Sequence, residues 1–143
     1  MSTPELVHAT VVARHTPAGW RAVAVSGPSG SGKSDLALRL CDAGWRLVGD
    51  DYVRVWRSGD GVFAAPAEAL EGRMEIRGLG IRSRPWRAPV RLILAVEAAA
   101  PEAVERLPEP AVTRWAGVDV PLLRLALLEA STVAKVAAAF RAL

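Results

Sequence analysis

Apolar residues along this chain come in short runs separated by Gly and Pro, a rhythm that suits strands more than helices. Residues 6–13 read as a strand, and His15-Thr16-Pro17-Ala18-Gly19 reads as the turn after it, since Pro and Gly both interrupt a ladder. Residues 21–25 return as a second strand. Two strands across so short a turn predict an antiparallel hairpin, and therefore a mixed sheet. Leu36, Ala37, Leu40 and Cys41 then mark one stripe of a helix, which should end near Ala43 because Gly44 can take the left-handed conformation that closes helices. Residues 45–48 form the next strand. Tyr52-Val53-Arg54-Val55-Trp56 alternates and predicts another, with Ser58-Gly59-Asp60-Gly61 as a hairpin turn and residues 62–64 coming back. Residues 66–70 read as a short helical or loop piece. Residues 74–81 alternate charged and apolar side chains and predict one half-buried strand, whose glycines allow close backbone approach. Residues 90–96 are apolar almost throughout, which predicts a central strand buried on both faces. Pro101, Pro108 and Pro110 make residues 98–110 a loop with room for a turn of helix. Residues 118–125 contain a further strand, with Pro121 at an edge. Ser131 caps a final helix whose Val133, Val136, Ala137 and Phe140 form an ordinary packing stripe. No repeat or internal boundary interrupts this order. It predicts one α/β domain over residues 1–143, a mixed β-sheet with flanking helices.

One interval is more than turn chemistry. Between the second strand and the first helix lies Gly27-Pro28-Ser29-Gly30-Ser31-Gly32-Lys33-Ser34, a full match to the Gly-x4-Gly-Lys-Ser phosphate-binding loop (P-loop), followed by Asp35. A flexible Gly/Ser linker would not be bracketed by an apolar strand and an amphipathic helix. Here backbone N–H groups and the positive end of a helix converge on one point, an anion cradle. Lys33 would reach the β- and γ-phosphates of a nucleotide, and Ser34 would hold Mg²⁺ through its hydroxyl. The strand at 45–48 ends in Gly49-Asp50-Asp51. Carboxylates at the C-terminal end of a strand beside such a loop stand where Mg²⁺ and the γ-phosphate lie. In most P-loop proteins that acidic strand comes much later in the chain; here it is the very next one. A solvated Asp-Asp turn is the plain alternative, and the neighbouring loop favours a catalytic role. Residues 82–89, basic and proline-bearing, read as a surface loop near the nucleotide or a partner, or as a solvated connector. His8, taken alone, is a surface or packing residue of its strand.

Composition narrows the setting. At 143 residues with 51% apolar content, a folded core is expected rather than disorder. The formal charge is +3, from 18 basic and 15 acidic residues, and the excess is scattered arginine rather than a lysine block. That pattern speaks against dedicated nucleic-acid binding and suits an acidic nucleotide equally well. Cys41 is alone, so neither an internal disulfide nor a cysteine metal site can form. The N-terminus lacks the features of a signal peptide, and no apolar run approaches the ~20 residues a bilayer span needs. No membrane role and a cytoplasmic setting are therefore expected.

Separated stretches also share one resemblance. His8-Ala9-Thr10, the loop with Asp35-Leu36-Ala37-Leu38-Arg39-Leu40, Leu47-Val48-Gly49-Asp50-Asp51, and Glu75-Ile76-Arg77-Gly78-Leu79-Gly80 together resemble the HPr kinase/phosphorylase family, in a short form lacking its usual N-terminal domain. Glu105-Arg106-Leu107-Pro108 and Glu129-Ala130-Ser131 look like that short form too. The loop alone is widely shared; the early Asp-Asp and the Glu-Ile-Arg-Gly-Leu-Gly run make the likeness specific. The resemblance implies the family's C-terminal-domain fold, with its PEP carboxykinase-like core. It implies that Lys33 and the loop amides hold ATP and that Ser34 with Glu75 coordinates Mg²⁺. Asp51 falls on the proton acceptor that deprotonates a serine of the phosphocarrier protein HPr, and His8 on an active-site histidine. Asp50 would assist at the metal or orient Asp51, and Arg77 would stabilise the transferring phosphoryl group. The implied function is an ATP-dependent serine protein kinase of a phosphotransferase system, with dephosphorylation and the hexamer of the long form open to it. Arg82, Arg84 and Arg87 are candidates for the phosphorylase reaction by charge only. An ATP-sensing module without transfer, or a small-molecule P-loop kinase, are the competing readings.

Overall fold

The computed structural model describes residues 1–143. The first apolar run is divided at Ala9. Its first part, β1 (Glu5–His8), and its second, β2 (Thr10–Thr16), belong to different ladders. β2 turns through Pro17-Ala18 alone into the antiparallel β3 (Gly19–Ser26), so the turn is tighter than residues 15–19, and the Thr16 hydroxyl closes it by donating to Gly19 O at 2.7 Å. The P-loop leads into α1 (Lys33–Asp42), which Gly44 ends at a φ of +101°. Then follow β4 (Arg46–Gly49), β5 (Tyr52–Ser58) and β6 (Gly61–Pro66).

Residues 74–81 are not one strand. Gly78 and Gly80, at φ of +92° and +88°, fold them into a separate hairpin of β7 (Arg73–Ile76) and β8 (Gly80–Ser83). β9 (Val90–Ala98) is the central strand expected: β3 lies parallel to it on one side, and β6 and β11 share the other. β10 (Ala111–Trp115) was hidden behind the proline-rich loop, which itself holds one short 3-10 turn at Pro101–Ala103. β11 (Val118–Leu125) pairs β10 throughout, and pairs β9 only from Leu122 on, which leaves Pro121 on an open edge where its missing N–H costs nothing. α2 (Thr132–Arg141) ends the chain. Ser131 precedes it but makes no capping bond; the Thr132 hydroxyl donates to Ala126 O instead. No helix is long and apolar enough to cross a membrane.

The main sheet runs β1-β5-β6-β9-β3-β2-β4, with the β10–β11 hairpin branching off β9. β1 and β2 therefore stand near opposite ends of that order, yet a single residue joins them. The sheet must curl until its ends approach each other. Gly49 marks the closure: a Cβ there would lie 2.5 Å from a Val53 methyl and 3.3 Å from the Pro66 Cα. Inside the curl sits a core rich in small residues, including Ala9, Ala13, Ala22, Ala24, Ala64 and Ala95, which the tight curvature requires. On the outer face, both helices pack over Val23, Val25, Leu94 and Val96 through Leu36, Leu40, Val136 and Phe140. Leu92 and Leu94 lie on opposite faces although they are two residues apart. An extra residue, Ile93, interrupts the β3–β9 register between them and reverses the alternation.

Candidate active site

β3, lying alongside the central strand, delivers the chain into the loop, and α1 carries it away, so the loop stands at the C-terminal ends of the parallel pair β3 and β9. Gly27, Gly30 and Gly32 take φ of +154°, +81° and +102°. Gly32 has a second reason to be glycine, since a Cβ there would sit 2.6 Å from Leu128 Cδ2. The resulting curvature leaves the backbone N–H groups of Gly30, Gly32, Lys33, Ser34 and Asp35 without partners in the chain, and the buried Ser31 hydroxyl is likewise unpaired. Unpaired donors packed around one concavity fit a phosphate chain. Arg39, paired to Asp35 at 2.7 Å, also donates to the carbonyls of Leu127 and Glu129, which ties α1 to the segment before α2.

Lys33 is buried at 6% exposure, with Nζ donating to Gly27 O at 2.7 Å and Pro28 O at 3.1 Å. An ammonium has three donors, so one remains for an anion in the loop.

The paired aspartates at the end of β4 have different environments. Asp50 Oδ1 accepts from Ser34 Oγ at 2.7 Å and Thr10 Oγ1 at 3.1 Å, while Asp50 Oδ2 accepts from the Glu75 N–H at 3.2 Å. Asp50 therefore stitches three elements together: α1, β2 and the β7–β8 hairpin. Asp51 is turned outward. Its φ is +69°, and the Tyr52 N–H donates to Asp50 O at 2.8 Å, the pattern of a γ-turn centred on Asp51. A non-glycine residue at positive φ marks stored strain, of the kind that collects at functional sites. Asp51 Oδ1 accepts from His8 Nε2 at 2.7 Å; a carboxylate can only accept, so Nε2 carries the proton. His8 in turn stacks on Tyr52, with ring centroids 4.9 Å apart. Asp51 Oδ2 has no partner, and its side chain is 59% exposed.

Thr10 is the residue that sequence reasoning missed. It is fully buried, donates to Asp50 and accepts the Asp51 N–H at 3.1 Å, so one hydroxyl positions both aspartates. The available signal was a polar residue inside an apolar strand run. Thr10→Val keeps the shape but leaves that N–H unpaired, an expected loss of about 1–3 kcal/mol of stability. Thermal unfolding of Thr10→Val and of the restoring Thr10→Ser checks it; equal midpoints for Thr10→Val and the parent would remove this role.

These residues meet around a cavity of about 430 Å³. Ser29, Lys33, Ser34 and Asp35 line it together with Asp50, Asp51, Glu75 and Arg77. His8 does not line it and reaches it through Asp51. Leu38, Ile76 and Leu128, to which the sequence assigns no role, supply its apolar wall. Arg82 and Arg87 do not line it, nor does Arg84, whose buried Nε has no partner. Cys41, on α1, does not line it; burial pushes its thiol pKa up, Arg84 and Arg46 offset that only in part, and the Asp50 carboxylate adds to the rise. No three His, Cys, Asp or Glu side chains converge anywhere in the chain. Ser34, Asp50 and Glu75 make a thin donor set, which fits a Mg²⁺ ion bound largely by phosphate oxygens and water.

Comparison with known proteins shows the family and the fold. The model of the HPr Serine kinase C-terminal domain matches residues 7–83, more than half the chain and every residue lining the site cavity except Leu128. A curated HPr kinase/phosphorylase of Prosthecochloris aestuarii is 36% identical over 121 residues, covering 72% of this chain and 34% of the relative. Those of Chloroherpeton thalassium and Exiguobacterium sibiricum are 50% and 47% identical over 58 and 60 residues, covering 40% and 41% of this chain. The chain spans 17% and 19% of those two relatives' length. Among solved structures, the Hpr(Ser) kinase/phosphatase from Coxiella burnetii superposes with a TM-score of 0.81 at 20% identity, over 96% of this chain and 95% of that one, which establishes the shared fold. With its family model matched through the loop, the paired aspartates and the β7–β8 hairpin, the chain belongs to the HPr Serine kinase C-terminal domain family.

Proposed function

We propose that residues 1–143 act as one catalytic unit, in the cytoplasm, transferring the γ-phosphoryl group of ATP to a serine of HPr or a related phosphocarrier protein. The observation that carries this reading is the contrast between the two aspartates. Asp50 is fully engaged inside the site, whereas Asp51 offers a free, half-exposed carboxylate oxygen on the rim of a phosphate cradle. A base exposed on a rim suits a hydroxyl presented by another protein.

The roles follow from the contacts. The unpaired loop amides and the third donor of Lys33 hold the phosphate chain. The Ser34 hydroxyl spends its proton on Asp50, which leaves its lone pairs for a cation, and Glu75 stands on the same cavity. Mg²⁺, when bound, neutralises charge on the β- and γ-oxygens. Asp51 takes the serine proton through Oδ2 while His8 holds Oδ1 and fixes the carboxylate's orientation. Arg77, which lines the same cavity, offsets charge on the equatorial oxygens of the phosphoryl group.

The test is incubation of the chain with γ-labelled ATP, Mg²⁺ and HPr. Label is expected on an HPr serine, and added phosphate would reveal any reverse reaction. Saturable ATP binding without transfer would replace this reading by a nucleotide-sensing module. Label on a metabolite would replace it by a small-molecule kinase.

A further inference from the structure

The larger cavity of the molecule, about 880 Å³, is not the one at the P-loop. It opens at the other end of the sheet, beside the Pro17-Ala18 turn and the last turn of α2. Cross-strand register there sets Arg14 directly opposite Arg21, and Arg21 directly opposite Arg91. Three arginines thus occupy neighbouring positions on the adjacent strands β2, β3 and β9. Ala13, Ala22 and Leu92, each adjacent to one of these arginines in its strand, belong to the inner core, so alternation puts all three arginines on the helical face. The Arg14 guanidinium indeed lies over the Trp45 ring of that face. All three line the cavity, and Arg141 of α2 adds a fourth cation.

Like charges directly opposite each other destabilise a ladder, and a guanidinium stays charged at any ordinary pH. Little in the chain neutralises this row. Asp60 is the one carboxylate paired with any of the four, at 3.6 Å from Arg91 and itself 94% exposed. Asp119, also on the cavity, is taken by Arg114 at 2.9 Å. The Arg91 guanidinium lies against the β5–β6 turn, with Nε 3.0 Å from where a Cβ on Gly61 would stand. The extra residue of β9, Ile93, lines the same cavity together with Phe140.

We propose that this cavity is a second anion site, separate from the P-loop, for a small organic polyanion bearing phosphate or carboxylate groups. Its charges meet Arg14, Arg21 and Arg91, and its apolar body lies against Ile93 and Phe140, the mixture of apolar wall and few convergent polar groups that marks small-molecule sites. The two anion sites then stand at opposite ends of β3, about 17 Å apart along the strand.

Because pyrophosphate would also enter the P-loop, the test uses the full chain carrying Lys33→Ala. Pyrophosphate, and citrate as the carboxylate arm, are titrated by calorimetry and by NMR of the arginine Nε–Hε groups. The expected result is saturable one-site binding of at least one probe, with the Arg14, Arg21 and Arg91 signals following a single curve. Adding Arg21→Gln and Arg91→Gln should weaken that binding at least tenfold. Residual pyrophosphate in the P-loop would move the Gly30 and Gly32 amides instead, which separates the two sites. Arginine signals that stay still or drift without saturating would overturn the proposal, as would a double variant that binds like its parent. Binding of an acidic peptide in place of both small probes would overturn it too. If the double variant does not fold, the NMR titration of the arginine-intact chain decides alone.

Discussion

Asp51→Asn is expected to lower the rate of phosphoryl transfer to HPr by about 10²–10⁴-fold, the usual worth of a positioned general base, while ATP affinity stays close to that of the parent. Asn keeps the size of the side chain and is among the residues that tolerate positive φ, so the γ-turn at +69° survives the change. The His8 contact can persist, since an amide oxygen still accepts from Nε2. What disappears is the free Oδ2, the one carboxylate oxygen of the pair with no partner. Asp51→Gly removes the base but also relaxes the turn, and should lose as much activity with an unchanged or higher unfolding midpoint. Single-turnover transfer of label to HPr, set beside ATP binding by calorimetry, separates the possibilities. Equal losses of transfer and affinity would assign Asp51 to binding; undiminished transfer would place the base elsewhere.

Lys33→Ala carries the second large effect. Each charge-assisted contact that Lys33 makes to phosphate is worth roughly 1.5–3 kcal/mol, or about 10- to 150-fold in affinity. The buried ammonium also satisfies the carbonyls of Gly27 and Pro28, so its loss strips the loop of an internal brace as well as a ligand. Lys33→Met also loses the ammonium with its brace, but keeps the packing of the aliphatic stem. Both variants are expected to lose ATP affinity and the brace, with Lys33→Ala, which also loses the packing of the stem, showing the lower unfolding midpoint of the two. Unchanged ATP affinity in both would sink the assignment of Gly27–Ser34 as the phosphate cradle.

The glycine loop, the helix after it and the acidic strand end were legible because each is local: a spacing, a stripe, a terminus. The different environments of Asp50 and Asp51 were not. Two adjacent identical residues have the same sequence signature, and what separates them is that Thr10, Ser34 and Glu75, from three other elements, all converge on Asp50. His8 was equally undecidable from spacing, because its position depends on the curl of the sheet, which brings β1 beside β5 and so His8 opposite Tyr52. Residues 74–81 read as one strand because their charged and apolar side chains alternate through the bend, and only two positive-φ glycines, Gly78 and Gly80, reveal the turn of the hairpin.

By itself the sequence determined the anion cradle, the central strand and the acidic strand end, since backbone chemistry and burial pattern act over a few neighbouring residues. The tertiary structure alone decided which aspartate is left free, that a buried threonine holds the pair in place, and that three arginines distant in sequence stand side by side. Those facts depend on cross-strand register and sheet curvature, quantities set by the packing of the whole chain rather than by any stretch of it.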